Sequence, residues 1–150
     1  MPRFSRILPL LTLLSFGLAQ AATTPPAQPA SGPGGADYAY TGVAQQALGD
    51  GDDAVTIFWP EQAAAATPLP VVVFTHGWGA VKPEHYLAWI HHLVRKGAIV
   101  IYPRYQENLR TKSENFTPNA VAGVKRALAW LAGQKNAPAA DPTRWATVGH

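Results

Sequence analysis

Val71-Val72-Val73-Phe74-Thr75-His76-Gly77-Trp78-Gly79 starts as β-branched and aromatic residues and ends as a turn with glycine on both sides of Trp78. From Leu69 to Thr75 the run is almost continuously apolar, the pattern of a strand covered on both faces. A strand of that kind needs helices above and below it, and the flanking sequence supplies them. Downstream, Pro83 sits where the first turn of a helix would be. Tyr86, Trp89, Ile90, Leu93 and Val94 then repeat at helical spacing until Gly97. Ala98 to Tyr102 reads as a second apolar strand. Thr117-Pro118 reads as a helix N-cap and first residue, Val121, Val124, Leu128 and Leu131 as one face, and Gly133 as the stop. Asp141-Pro142 turns the chain into a last strand, Trp145 to Val148.

Upstream, Tyr38 to Val43 and Ala54 to Trp59 are short β-prone runs on either side of Gly49-Asp50-Gly51-Asp52-Asp53. They fit an antiparallel opening pair. The order is then two strands followed by β-α-β-α-β, which predicts an α/β fold: a mostly parallel sheet with flanking helices and right-handed crossovers. Ligand sites in such sheets lie beyond the carboxyl ends of the strands. His76 to Gly79 and the terminal Gly149-His150 both fall there.

Residues 1–21 have the three parts of a secretory signal peptide. Arg3 and Arg6 make a basic start, Ile7 to Leu18 an apolar core, and Ala19-Gln20-Ala21 a small-residue cleavage site. The apolar run is shorter than the roughly 20 residues of a bilayer span, so export without a membrane anchor is expected. Residues 22–37, rich in Pro, Gly and Ala, read as a linker because they offer little apolar surface to offset ordering entropy. The domain proper is expected over 38–150.

Charge narrows the partners. The chain carries 12 Lys+Arg against 9 Asp+Glu, a net +3; without Arg3 and Arg6 that becomes 10 against 9, or +1. A balance this small predicts neither a nucleic-acid footprint nor an anionic-membrane patch. With no cysteine there is no disulfide, thiolate nucleophile or cysteine-ligated metal in these residues. His85, His91 and His92 cluster on one stretch without the HExxH spacing, and adjacent helical residues point about 100° apart, so no metal site is expected. No cofactor is expected either.

A strand ending His76-Gly77-Trp78-Gly79, a helix, a strand ending Tyr102-Pro103-Arg104-Tyr105, a second helix and a strand ending Val148-Gly149-His150 together resemble the α/β-hydrolase superfamily. The similarity is greatest to exported bacterial hydrolases related to dienelactone and polyester hydrolases. It covers about residues 38–150, roughly the first half of such a domain. In that pattern Gly-His opens the G-x-S-x-G nucleophile elbow, so His150 would be the residue before the nucleophile and the chain an N-terminal fragment. The resemblance also implies that the Trp78 amide donates to the oxyanion, with Gly77 and Gly79 admitting the backbone to a ligand and His76 bracing the loop. Trp78 and Tyr105 would wall a substrate pocket. The expected activity is hydrolysis of a small or polymeric carboxylic ester through a serine acyl-enzyme. The alternatives are an aspartate nucleophile, as in epoxide hydrolases and dehalogenases, or a non-catalytic binding protein if the chain is complete. The chain ending at His150 is expected to be inactive and poorly soluble, because its last strand would leave an unpaired edge.

Overall fold

The computed structural model describes residues 24–65 and 67–150; the expected signal peptide lies outside the described residues. Its elements are β1 (Val43–Leu48), β2 (Val55–Pro60), β3 (Pro68–Thr75), α1 (Leu87–Arg95), β4 (Ile99–Pro103), α2 (Phe116–Gly133) and β5 (Ala139–Gly149). They form a five-stranded sheet in the order β1-β2-β4-β3-β5. β1 and β4 each pair with β2 antiparallel, whereas β3 pairs with both β4 and β5 in parallel. Only β2 therefore runs against the rest, and the sheet is mostly parallel with helices on both faces, as the sequence predicts.

Two core layers follow from the period of two along each strand. Val55, Ile57, Leu69, Val71, Ile99 and Ile101 face α2, meeting Ala127 and Leu131. Phe58, Val72, Phe74, Val100 and Tyr102 face α1, meeting Ile90 and Val94. Continuous apolar runs are what this requires, since neighbouring residues serve opposite cores. α1 follows a 3-10 turn, Pro83–Tyr86, which carries His85. It ends where Gly97 takes φ +102°, with Gly97 N–H donating to Val94 O (2.8 Å) and Ala98 N–H to Leu93 O (3.2 Å). That is a helix stop only glycine adopts without strain.

The structure departs from the sequence expectations in four places. The first strand is Val43–Leu48 rather than Tyr38–Val43. Its register, from Val43 opposite Pro60 to Leu48 opposite Val55, is set by the intervening turn. Tyr38 is instead taken up by α1, its ring under the Arg95 guanidinium at 3.7 Å and its hydroxyl 3.1 Å from His92 Nδ1. Second, α2 begins at Phe116 with Asn115 at the N-cap, making no side-chain capping bond, in place of the Thr117 cap. Third, the buried face of α2 is Gly123, Ala127 and Leu131, while Val121 is 47% exposed. Small residues win because the helix lies close on the sheet: a β-carbon on Gly123 would stand 3.2 Å from Asp53 O and 3.5 Å from Val55 Cβ.

Fourth, β5 starts at Ala139, and its ladder with β3 jumps from Leu69 opposite Ala140 to Val71 opposite Trp145. The extra residues are gathered by Asp141, whose carboxylate accepts from Thr143 Oγ1 (2.7 Å), Thr143 N–H (2.8 Å) and Arg144 Nε (2.6 Å). Those bonds, the Thr143 hydroxyl's first, hold the Asp141 carboxyl down at about 2.

The segment read as a linker lies against α1. Lys96 Nζ donates to Gly32 O at 2.8 Å and pairs with Asp37, and His92 Nε2 stands 2.8 Å from Pro33 O. The bond from Lys96 lowers the Asp37 carboxyl below its usual range. A Pro/Gly-rich segment has little apolar surface, but its carbonyl oxygens are acceptors for the polar groups at the end of the helix.

Candidate functional site

β3 and β5 are neighbours, and Thr75 at the end of one is the register partner of Gly149 at the end of the other. The two segments singled out in the sequence therefore meet. His150 N–H donates to Thr75 O (3.3 Å), and Thr75 Oγ1 donates to Val148 O (3.0 Å). Gly77 is so close to His150 that a β-carbon there would stand 2.9 Å from His150 Nδ1.

His76 is 2% exposed. Its ring lies between those of Tyr102 and Tyr105, parallel to the second within 7° at 4.1 Å. Nδ1 stands 2.8 Å from Gly77 O, and Nε2 stands 2.5 Å from Arg104 O. With the proton on Nε2, the ring donates to Arg104 O and ties the loop after β3 to the loop after β4. The Tyr105 hydroxyl adds a second tie by donating to His76 O. Tyr102, also core, donates to Ala80 O at 2.6 Å. Burial raises both tyrosine hydroxyls above their ordinary pKa, so both remain donors well into the alkaline range.

Ala80 N–H donates to Gly77 O (3.0 Å), closing a four-residue turn whose third position, Gly79, has φ +80°. This is a type II turn, which requires a left-handed residue at that place. Within it, Gly77 N–H donates to Tyr86 Oη and Gly79 N–H to Gln106 Oε1, each at 3.0 Å. Among the described residues the Trp78 N–H, between those two, has no acceptor. The Trp78 indole is 68% exposed. Of three successive amides, two are held by side chains and the middle one is free.

Two residues that hold this turn were not expected to do so from the sequence. Tyr86, read there as part of a helical core face, accepts from Gly77 and lies 2.9 Å from His150 Nδ1, so one hydroxyl joins both strand ends. Gln106 is fully buried. Tyr105 before it has φ +39°, and Gln106 N–H bonds back to Arg104 O at 2.5 Å, a tight three-residue turn. Gln106 Nε2 has no acceptor among the described residues, a buried donor whose isolation costs about 1–3 kcal/mol. No spacing rule flags either residue, because their partners are backbone groups on another loop. Arg104 pairs loosely with Glu107 (3.6 Å).

A cavity of about 340 Å³, lined by Thr75, Tyr105, Phe116, Thr117, Ala120 and Val121, opens beside the end of β3. A larger one, about 510 Å³, runs past Lys82, Glu84, Arg104 and Glu107 and includes neither Trp78 nor His150. Among the described residues no cluster of three His, Asp or Glu could hold a metal ion. Nor is any described helix long and apolar enough to cross a membrane.

No protein-family model and no curated protein sequence matches the chain. Solved structures do. A bacterial heroin esterase is similar at 25% identity and a TM-score of 0.55, over 76% of this chain and 37% of that one. An acetyl xylan esterase from Paenibacillus sp. R4 is similar at 16% identity and a TM-score of 0.51, over 75% and 43%. A Klebsiella pneumoniae protein assigned as a dienelactone hydrolase is similar at 16% and 0.50, over 73% and 50%. The fold is that of the α/β-hydrolases. The matched region spans half or less of the length of these structures.

Proposed function

We propose that this chain is the N-terminal part of an exported hydrolase of carboxylic esters, acting through a nucleophile placed just after His150. The observation that carries the reading is the free Trp78 amide in a turn whose neighbouring amides are both engaged, next to the end of the strand that would present the nucleophile. An ester carbonyl attacked there develops negative charge on its oxygen, and a preset N–H stabilises that charge without reorganising. Losing one such donor costs roughly 10²–10³ in rate. His76 braces the loop and is no candidate base, because both its nitrogens already face carbonyl oxygens. The basic and apolar start of the sequence supports export, and the exposed Trp78 indole would form one wall of the substrate site.

The coding DNA beyond the His150 codon is the first test. Serine at the next position, with Asp and His later, supports the reading. Aspartate there moves it to the epoxide-hydrolase or dehalogenase class, and a stop codon ends it. The gene product is then assayed on p-nitrophenyl acetate. Proline suits the second position of a type II turn and has no N–H, so Trp78→Pro is compared with Trp78→Ala. A kcat for the Pro variant about 10²-fold or more below that of the Ala variant is expected; equal values rule out the Trp78 amide as an oxyanion donor.

A further inference from the structure

Gln106 does more than fill space beneath the loop. A fully buried polar side chain faces the turn, spends its oxygen on Gly79 N–H, and leaves its nitrogen without an acceptor among the described residues. It arrives there through a left-handed Tyr105, itself bonded to His76 O and stacked on the His76 ring. Arg104 O, one residue earlier, is the carbonyl facing His76 Nε2 and also accepts from Gln106 N–H. Three consecutive residues of the β4 loop thus grip the β3 loop at three points: Arg104 at the imidazole, Tyr105 at the His76 carbonyl, Gln106 at the Gly79 amide. A left-handed non-glycine residue and an orphaned buried donor are both unfavourable, and they persist where the surroundings over-determine them.

We infer that Gln106 is a positioning residue for ester hydrolysis: by holding Gly79 N–H it fixes the turn so that the Trp78 N–H alone points free, aligned for the oxyanion. This deepens the function proposed above and rests on it. Gln106 touches no reacting atom. Its effect is on the alignment of a donor, where a misplacement of about 1 Å costs up to ~10²-fold in rate. The expected signature is therefore in kcat, because a donor aligned for the oxyanion matters more to the transition state than to the ground state.

The test measures two things on the gene product: amide hydrogen exchange at Gly79, resolved by fragmentation mass spectrometry, and kcat and KM on p-nitrophenyl acetate. Gln106→Met keeps length and shape but has no oxygen acceptor. It should speed Gly79 exchange by about tenfold or more and lower kcat by about tenfold or more, with KM within about twofold. Gln106→Glu keeps an acceptor oxygen, so Gly79 should stay protected. Its kcat should fall less than that of the Met variant, because the turn stays held. Unchanged exchange in the Met variant, a loss confined to KM, an unchanged kcat in the Met variant, or a kcat in the Glu variant no higher than in the Met variant overturns the inference. If the wild type hydrolyses no ester, the proposed function fails by itself. Gly79 exchange in the Met and Glu variants then still decides whether Gln106 holds the turn.

Discussion

β4 and β5 lie on either side of β3, pair with it in the same direction, and end at the same rim, yet their surroundings are opposite. Every residue of β4 is buried, whereas most of β5 is exposed, with Trp145 at 44%. β4 has a strand on each edge and a helix on each face. Among the described residues β5 has a strand on one edge only, and beside it an apolar cavity of about 490 Å³ is lined by Leu128, Leu131, Ala137, Ala140 and Trp145, among others. The difference teaches that burial in this sheet is decided by neighbours on four sides, with strand composition secondary. An open strand edge beside apolar surface is also a template for association.

Ile101→Ala is the strongest way to break the contrast. Ile101 is fully buried against the α2 core, and its truncation should cost about 2–5 kcal/mol in urea unfolding. A much smaller loss would mean that β4 is no better packed than the edge. Tyr105→Phe probes the rim both strands reach. It leaves the ring on His76 but deletes the hydroxyl bond to His76 O. About 0.5–1.5 kcal/mol should be lost by the same measurement, and no change would show that the stacked ring alone holds the loop.

Trp145→Lys should change unfolding stability by only about 0.5 kcal/mol, the usual range for surface positions, and should raise the concentration at which light scattering detects aggregates. A loss approaching that of Ile101→Ala would show that β5 is covered in solution. The smallest effect concerns the excursion in β5 held by Asp141. Its carboxyl sits at about 2 in the folded chain against an ordinary value of 3.8. A lowered folded pKa favours folding above the unfolded value, and that contribution fades as pH falls from about 4 to about 2. Asp141→Asn should therefore flatten the acid limb of thermal stability over that window by lowering stability slightly at pH 7 and leaving the value near pH 2 unchanged; an unaltered acid limb would place the dependence elsewhere.

Much of the architecture was legible because hydrophobic period and breaker residues act locally. The runs at Leu69–Thr75 and Ala98–Tyr102, the pair Ile90 and Val94, and Gly97 all behave as their spacing predicts. Misreadings came where a distant partner outbid a local signal. Tyr38 is drawn to Arg95 and His92, and close approach of α2 to the sheet favours Gly123 and Ala127 over Val121. At the candidate site, the sequence pointed to His76–Gly79 and His150 but placed Tyr86 only on a helix face and Gln106 only in the loop after β4, whereas they hold backbone amides nine and 27 residues away.

The sequence by itself determined the order of elements, the two-faced burial of the central strands and the meeting of two glycine-containing ends at one rim, because periodicity and turn chemistry depend on near neighbours. Only the tertiary structure decided which of three adjacent amides stays free. That depends on the placing of a tyrosine hydroxyl and a buried glutamine, and hydrogen bonds across a few ångströms leave no trace in the spacing of residues along the chain.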